Sequence, residues 1–121
     1  YLGKGNGKAL RYSVGVGRRG KQWTGTKYIT SKRVKPDWAP TRQILRDKPN
    51  MPRVIKGGTR RNPMGAAVLM LSGRGQYAIH GTNNPRSIGG FVSYGCIRMR
   101  NSDIKHLYSQ VGVGTRVTVK R

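Results

Sequence analysis

The chain has 121 residues, of which 35% are hydrophobic, and this suits one domain, residues 1–121, with a modest core. Twenty-five lysines and arginines face three acidic residues, and the formal net charge of +22 predicts partners that are polyanions, such as nucleic acid, cell-wall polymers or lipid head groups. There is no apolar run of about 18 residues, so no membrane-spanning helix is predicted, and the single cysteine excludes an internal disulfide and a zinc site built from several cysteines.

Short apolar stretches separated by turn residues predict a mostly β chain. The predicted strands, in chain order, are 10–16, 26–30, 66–71, 76–80 and 115–120. The run 66–71 is short and continuously apolar, which is typical of a buried strand, and 76–80 follows as its hairpin partner. The chain opens on Tyr1 rather than methionine, so we expect a trimmed piece of a longer product.

Residues 35–65 contain five of the six prolines and predict a long irregular excursion. We expect its larger apolar side chains to pin it to the core; these are Trp38, Ile44, Leu45, Met51 and Ile55. A loop of this length in a small domain is often a lid or a substrate wall.

One segment has helical periodicity. Ile104, Leu107, Tyr108 and Val111 follow each other at spacings of three and four, after candidate N-cap residues in 101–103. Gly112 is a plausible stop. The sequence thus predicts one short helix near the C-terminus.

The single cysteine, Cys96, is the candidate nucleophile, because a thiol activated by a histidine is a common catalytic pair. The chain has two histidines. His80 ends a predicted strand, which is a rigid mount for a base, whereas His106 lies inside the predicted helix, so His80 is the preferred partner. Gly95 would let the backbone turn sharply before the cysteine, and the amides of 94–96 would face a developing oxyanion. The alternative interpretation is a small buried cysteine of no chemical role.

Three segments together resemble the L,D-transpeptidases of bacterial cell walls, the YkuD domain family. They are IHGT at 79–82, SYGCIRM at 93–99 and NxxIxxLY at 101–108, with His80 and Cys96 16 positions apart. The early stretch 10–17, the turn Trp23-Thr24-Gly25 and the ending 113–119 also resemble that domain. The resemblance implies a β-sandwich-like catalytic domain with a short helix after the cysteine motif, here without the family's first strand or a signal segment.

The resemblance implies that Cys96 attacks the third residue of a peptidoglycan tetrapeptide stem, releases D-alanine and forms a thioester. An amine on a neighbouring stem would then complete a 3-3 cross-link, or an outer-membrane protein would be attached to the wall, and carbapenems would acylate the same cysteine. His80 would be the general base, with Gly81, Tyr94 and Gly95 as oxyanion or supporting groups. Arg98, Ser93 and Thr82 would bind substrate, Arg98 through the stem carboxylates.

Tyr94 departs from the family, since many members have a histidine at that position. Two alternatives stay open: an L,D-carboxypeptidase or cross-link hydrolase of the same fold, and a basic module that binds nucleic acid or wall polymer with an inert cysteine. Basic patches also suit proteins that work against anionic walls, so nucleic acid is not the favoured partner. We expect a monomer, periplasmic or secreted and associated with the cell wall, with no metal and no organic cofactor.

Overall fold

The computed structural model describes residues 1–5, 7–17, 22–74, 77–93 and 95–120. These residues form nine β-strands: β1 Leu2–Gly5, β2 Lys8–Leu10, β3 Val14–Gly17, β4 Gly25–Val34, β5 Ala67–Leu71, β6 Ala78–His80, β7 Phe91–Ser93, β8 Ile97–Met99 and β9 Arg116–Val119. They also form two α-helices, α1 Arg42–Asp47 and α2 Asn101–Gln110, and one turn of 3-10 helix, Pro85–Ser87. The expected mostly β fold with a short helix after the cysteine motif is confirmed.

The order of the strands in the main sheet is β7-β3-β8-β6-β5-β4-β9, and β1 pairs with β2 in a separate ribbon. Two neighbouring pairs, β3 with β7 and β6 with β8, run parallel, and the other pairs are antiparallel. The parallel pair β6–β8 joins strands that are not consecutive in the chain. It therefore brings the segment before Gly81 beside the segment after Gly95.

The long strand β4 pairs with two other strands, and this pairing curls the sheet. Its first residues pair with β9 and its later residues pair with β5, with a register shift between Ile29 and Ser31. Such an irregularity bends a strand and increases its twist. The curl lets one face of the sheet close around a core while the other face stays available for a site.

The core lies on one face of the central strands. Its buried members are Ile29, Ala67, Leu69, Leu71, Ile79, Met99 and Ile104, with Ile97 packed against them. Side chains alternate between the two faces of a strand. His80 therefore lies on the opposite face from Ile79, and Arg98 lies on the opposite face from Ile97 and Met99.

Helix α2 covers the core with its apolar side. Ile104 is fully buried, and Leu107 and Tyr108 pack against the core cluster. Lys32 of β4 holds the last turn, because its Nζ donates to the carbonyls of Tyr108 at 2.7 Å and Val111 at 2.8 Å. The ammonium group also lies 4.1 Å from the centroid of the Tyr108 ring. A cation at the negative end of a helix is stabilising.

The expected N-cap of this helix was wrong. The helix begins at Asn101, and the residue in the cap position is Arg100, whose side chain makes no capping bond. Asn101 instead directs its side chain toward two neighbouring loops, as described below. The predicted end of the helix, at Gly112, is confirmed within two residues, since the helix ends at Gln110.

Other parts of the chain also differ from the prediction. The predicted strand 10–16 is two strands, β2 and β3, separated by 11–13, and the strands β7 and β8 that flank Cys96 were not predicted. The excursion 35–65 is not wholly irregular, since it holds α1, capped by the Thr41 hydroxyl. Its larger apolar side chains are half-buried and do not belong to the core cluster.

Among the described residues, no helix is long and apolar enough to span a bilayer.

Candidate active site

The pairing of β6 with β8 builds the candidate site. Its register places His80 opposite Arg98 and Ile79 opposite Ile97. Cys96 directly precedes β8, so the same register brings it beside Ala78, and the Ala78 backbone makes a hydrogen bond to the thiol. The structure thus gathers Cys96, His80 and Arg98 on adjacent parallel segments at one end of the sheet.

His80 is held in one tautomer by its own strand end. Its Nδ1 lies 2.5 Å from the carbonyl oxygen of Gly81, and a carbonyl can only accept, so Nδ1 carries the proton and donates it. The basic nitrogen is therefore Nε2. The side chain is 5% exposed, and burial, supported by the charge of Arg98, lowers the pKa of His80 to about 4 despite the opposing bond to Gly81. His80 is neutral at pH 7.

The thiol of Cys96 is also neutral at rest. Burial raises its pKa, and the hydrogen bond from Ala78 and the positive charge of Arg98 oppose that rise. A neutral thiol beside a neutral imidazole is an uncharged pair, which costs less to bury than an ion pair.

Arg98 is partly enclosed by its neighbours. It is half-buried, and its Nε is buried without a hydrogen-bond partner among the described residues. Gly15, its partner on the neighbouring strand β3, leaves room for the carbonyl oxygen of Ser87, since a Cβ on Gly15 would lie 2.8 Å from that oxygen. A buried N–H without a partner is uncommon in a folded protein.

Asn101 is a structural support that the sequence reasoning missed. Its Oδ1 accepts from the backbone N–H of Ala66 at 3.0 Å and of Thr82 at 3.1 Å. The Asn101 side chain packs closely against Gly81. A Cβ added to Gly81 would collide with Oδ1 of Asn101 and would lie 2.9 Å from the Ala66 nitrogen. Asn101 thereby fixes the loop whose carbonyl orients His80. The sequence shows Asn101 in the NxxIxxLY segment but predicts it only as a helix cap.

The remaining predicted site residues have the following places. Gly81 and Gly95 are buried, and Gly95 has a φ of 121°, which favours glycine. Thr82 is buried, and its hydroxyl accepts a hydrogen bond from the backbone N–H of Asn84 at 2.9 Å. In this structure the hydroxyl therefore stabilises a turn. Ser93 ends β7, paired with Gly17 through the backbone, and Tyr94 lies outside the described residues.

His106 lies elsewhere. It is exposed on α2, and its Nδ1 is 2.5 Å from the Tyr12 hydroxyl oxygen. The two rings are tilted, with centroids 5.9 Å apart. The structure therefore does not bring His106 to the cluster around Cys96.

Comparison with known proteins identifies the family of this chain. The family model for the L,D-transpeptidase catalytic domain, YkuD, matches residues 1–119. The chain is 42% identical to the probable L,D-transpeptidase YbiS of Escherichia coli strain K12, over 97% of the chain and 39% of YbiS. It is 59% identical to the putative L,D-transpeptidase YkuD of Bacillus subtilis strain 168, over 49% of the chain and 35% of that protein. The chain thus spans well under half the length of these curated relatives.

Solved structures show the same fold at lower identity. The catalytic domain of the Enterococcus faecium L,D-transpeptidase acylated by ertapenem has a TM-score of 0.66 at 20% identity, covering 93% of the chain and 81% of that domain. L,D-transpeptidase 3 of Mycobacterium tuberculosis has a TM-score of 0.67 at 20% identity, covering 95% of the chain and 46% of that protein. With the family match over 1–119 and the identity to YbiS, these likenesses lead to one assignment. The chain belongs to the YkuD family, the L,D-transpeptidase catalytic domain.

Proposed function

We propose that this chain is the catalytic domain of a cysteine-dependent L,D-transpeptidase that acts on peptidoglycan tetrapeptide stems. The observation that carries the proposal is the orientation of His80. Its Nδ1 is committed to the Gly81 carbonyl, so Nε2 is the nitrogen left for chemistry, one strand away from Cys96.

The acylation step uses the neutral pair described above. As Sγ of Cys96 bonds to the carbonyl carbon of the third stem residue, the thiol proton passes to Nε2 of His80 and the carbonyl electron pair moves to oxygen. The tetrahedral intermediate collapses, the bond to D-alanine breaks, and His80 returns the proton to the leaving amine. A thioester on Cys96 remains.

The second step mirrors the first. An acceptor amine attacks the thioester carbonyl, His80 removes the amine proton, and Cys96 leaves and regains its proton from His80. A side-chain amine on a neighbouring stem gives a 3-3 cross-link, and an amine on an outer-membrane protein gives protein attachment. No external energy source is needed, since the donor peptide bond is exchanged for a new amide.

Arg98 is proposed to bind a carboxylate of the stem. Its buried Nε lacks a partner in the described chain, and a guanidinium offers several donors in a geometry that matches a carboxylate. Ser93 and Thr82 are proposed as supporting polar groups, and amides at Tyr94, Gly95 and Cys96 as donors to the oxyanion. The place of action is proposed to be the periplasm or the outer surface, against the anionic wall.

The test is the intact mass of the protein after incubation with a carbapenem. We expect one adduct on the wild type and none on Cys96→Ala. His80→Ala should acylate several orders of magnitude more slowly, as loss of an activating base does. The matched control is His106→Ala, which should acylate at the wild-type rate. An adduct of equal yield on Cys96→Ala would overturn the proposal.

Two alternatives are separated by further results. Release of D-alanine from a tetrapeptide without any new amide would indicate water as the acceptor, and hence an L,D-carboxypeptidase. Absence of any adduct, together with ordinary reactivity of the thiol toward alkylating agents, would favour the basic polyanion-binding module. The amount of cross-linked dimer per D-alanine released measures the choice between amine and water.

A further inference from the structure

Trp23 makes a contact at the candidate site that the family motif does not explain. Its indole Nε1–H donates to the carbonyl oxygen of Gly95 at 2.8 Å, across 72 residues of sequence. An indole nitrogen can only donate, so the direction of this bond is unambiguous. Gly95 directly precedes Cys96, and the bond therefore acts on the peptide that joins the two residues.

That peptide has a fixed internal geometry. The described residues contain no cis peptide bond, and in a trans peptide the C=O and the following N–H point in opposite directions. Trp23 packs against the core cluster, so the Gly95 carbonyl is held toward the core side. The Cys96 N–H of the same peptide consequently points away from Trp23 and the core side.

The indole is itself held in place. The ring of Trp23 stacks on Tyr77, with centroids 5.6 Å apart and an interplanar angle of 28°. Lys27 Nζ lies 5.2 Å from the Trp23 ring centroid and 5.3 Å from that of Tyr77, and it donates to Ser72 O at 3.1 Å. Tyr77 directly precedes β6. Trp23 therefore connects the beginnings of the two strand segments that carry His80 and Cys96.

We propose that Trp23 is a positioning residue of this enzyme: its indole N–H fixes the Gly95–Cys96 peptide so that the Cys96 N–H faces the oxyanion formed when Sγ attacks a carbonyl. The positive φ of Gly95, 121°, is what allows this peptide orientation. The proposal rests on the proposed function and deepens it. It assigns the direction of one donor to a side chain outside the cysteine motif.

The test compares two reactions of the same thiol. Acylation by a carbapenem passes through an oxyanion, whereas alkylation by iodoacetamide displaces iodide and forms none. Trp23→Phe keeps an aromatic ring against Tyr77 and removes the N–H. Removing an oxyanion donor outright costs about 10²- to 10³-fold in rate, so loosening one should slow acylation about tenfold. Alkylation should stay within about twofold of the wild type.

The matched control is Trp38→Phe, since Trp38 lies in the excursion with its backbone paired to Ile55. It should leave both rates unchanged. The acyl-enzyme of Trp23→Phe should also show its carbonyl stretch at higher wavenumber in the infrared, because the carbonyl is more weakly hydrogen-bonded. Should Trp23→Phe fail to fold, benzothienylalanine at position 23 replaces the N–H by sulfur in a ring of the same shape.

The outcomes are distinct. Equal slowing of acylation and alkylation, or slowing of neither, would overturn the role of Trp23 and leave the proposed function standing. Selective slowing of acylation with an unshifted carbonyl stretch would also count against it. Failure of the wild type to acylate would overturn the proposed function, and the role of Trp23 with it.

Discussion

At the scale of single residues, the protonation of His80 decides how the candidate site responds to pH. Burial lowers its pKa to about 4, from an ordinary value of 6.5. Nε2 can accept a proton only when the ring is neutral, so the base is available at any pH above about 4. A histidine of ordinary pKa would lose this ability two to three units higher.

We therefore predict that the second-order rate constant for carbapenem acylation rises with pH about a midpoint near 4 and is flat from pH 6 to 7. The measurement is the rate of adduct formation by mass spectrometry across that range. His106→Gln should give the same profile. A midpoint near 6.5 would mean that His80 is solvated and charged more easily than its burial indicates.

The lowered pKa of His80 also makes the stability of the fold depend on pH. Between pH 6.5 and 4 the unfolded chain binds a proton at His80 and the folded chain does not. This contribution to the free energy of unfolding is fully present above pH 6.5 and is lost as the pH falls through 4, on the order of 3 kcal/mol in total. In His80→Gln this part of the pH dependence should be missing from denaturant unfolding curves.

At the scale of elements, Asn101 joins three parts of the fold. It stands at the first turn of α2 and accepts from the start of β5 and from the loop after β6. That loop carries the Gly81 carbonyl, and the carbonyl orients His80. A side chain outside the candidate site therefore supports the loop that orients His80.

We predict that Asn101→Ala lowers the acylation rate roughly 10- to 100-fold, because small misplacements of a catalytic group have effects of this size. It should also destabilise the fold by about 1–3 kcal/mol, because two backbone N–H groups lose their acceptor. Asn101→Asp keeps an acceptor oxygen and should restore most of the rate. The measurement is carbapenem acylation in parallel with urea unfolding.

The control is Asn83→Ala, an exposed asparagine in the same loop. If Asn101→Ala were destabilised but acylated at the wild-type rate, Asn101 would support the fold without orienting His80.

These elements also show what the sequence could predict. β4, β5, β6 and β9 were visible because each has a run of apolar or alternating residues. β7 and β8 have three residues each, and unlike the equally short β6 they do not follow a predicted strand as its hairpin partner. The motif residues near Cys96 were identified from adjacent positions in the chain. The bonds from Trp23 to Gly95 and from Asn101 to Ala66 cross 72 and 35 residues, and no local pattern predicts such pairs.

At the scale of the whole molecule, the positive charge dominates. The formal net charge is +22, and most lysines and arginines that the structure describes are exposed. An exposed field of this size attracts anionic polymers and is screened by salt over a Debye length of about 10 Å at 0.1 M. We therefore propose that the charge concentrates the protein on anionic polymers.

We predict that retention of Cys96→Ala on isolated peptidoglycan falls steeply as NaCl is raised from about 50 to 500 mM, since electrostatic attachment weakens as screening increases. The inactive variant ensures that retention is not covalent. Acylation of the wild type by a small carbapenem should change much less over the same range. Retention that does not respond to salt would exclude the surface charge as the source of wall binding.

The strand order has a consequence for how the candidate site is assembled during folding. The chain leaves β6, pairs as β7 with β3 at the far edge of the sheet, and returns as β8 between β3 and β6. His80 and Cys96 are therefore brought to adjacent segments by the parallel pairing of β6 with β8, which a hairpin of residues 80–96 could not make. A partly unfolded chain that lacks this pairing is expected to have a solvated thiol that is not held beside His80. Loss of acylation and loss of the sheet should be one cooperative event.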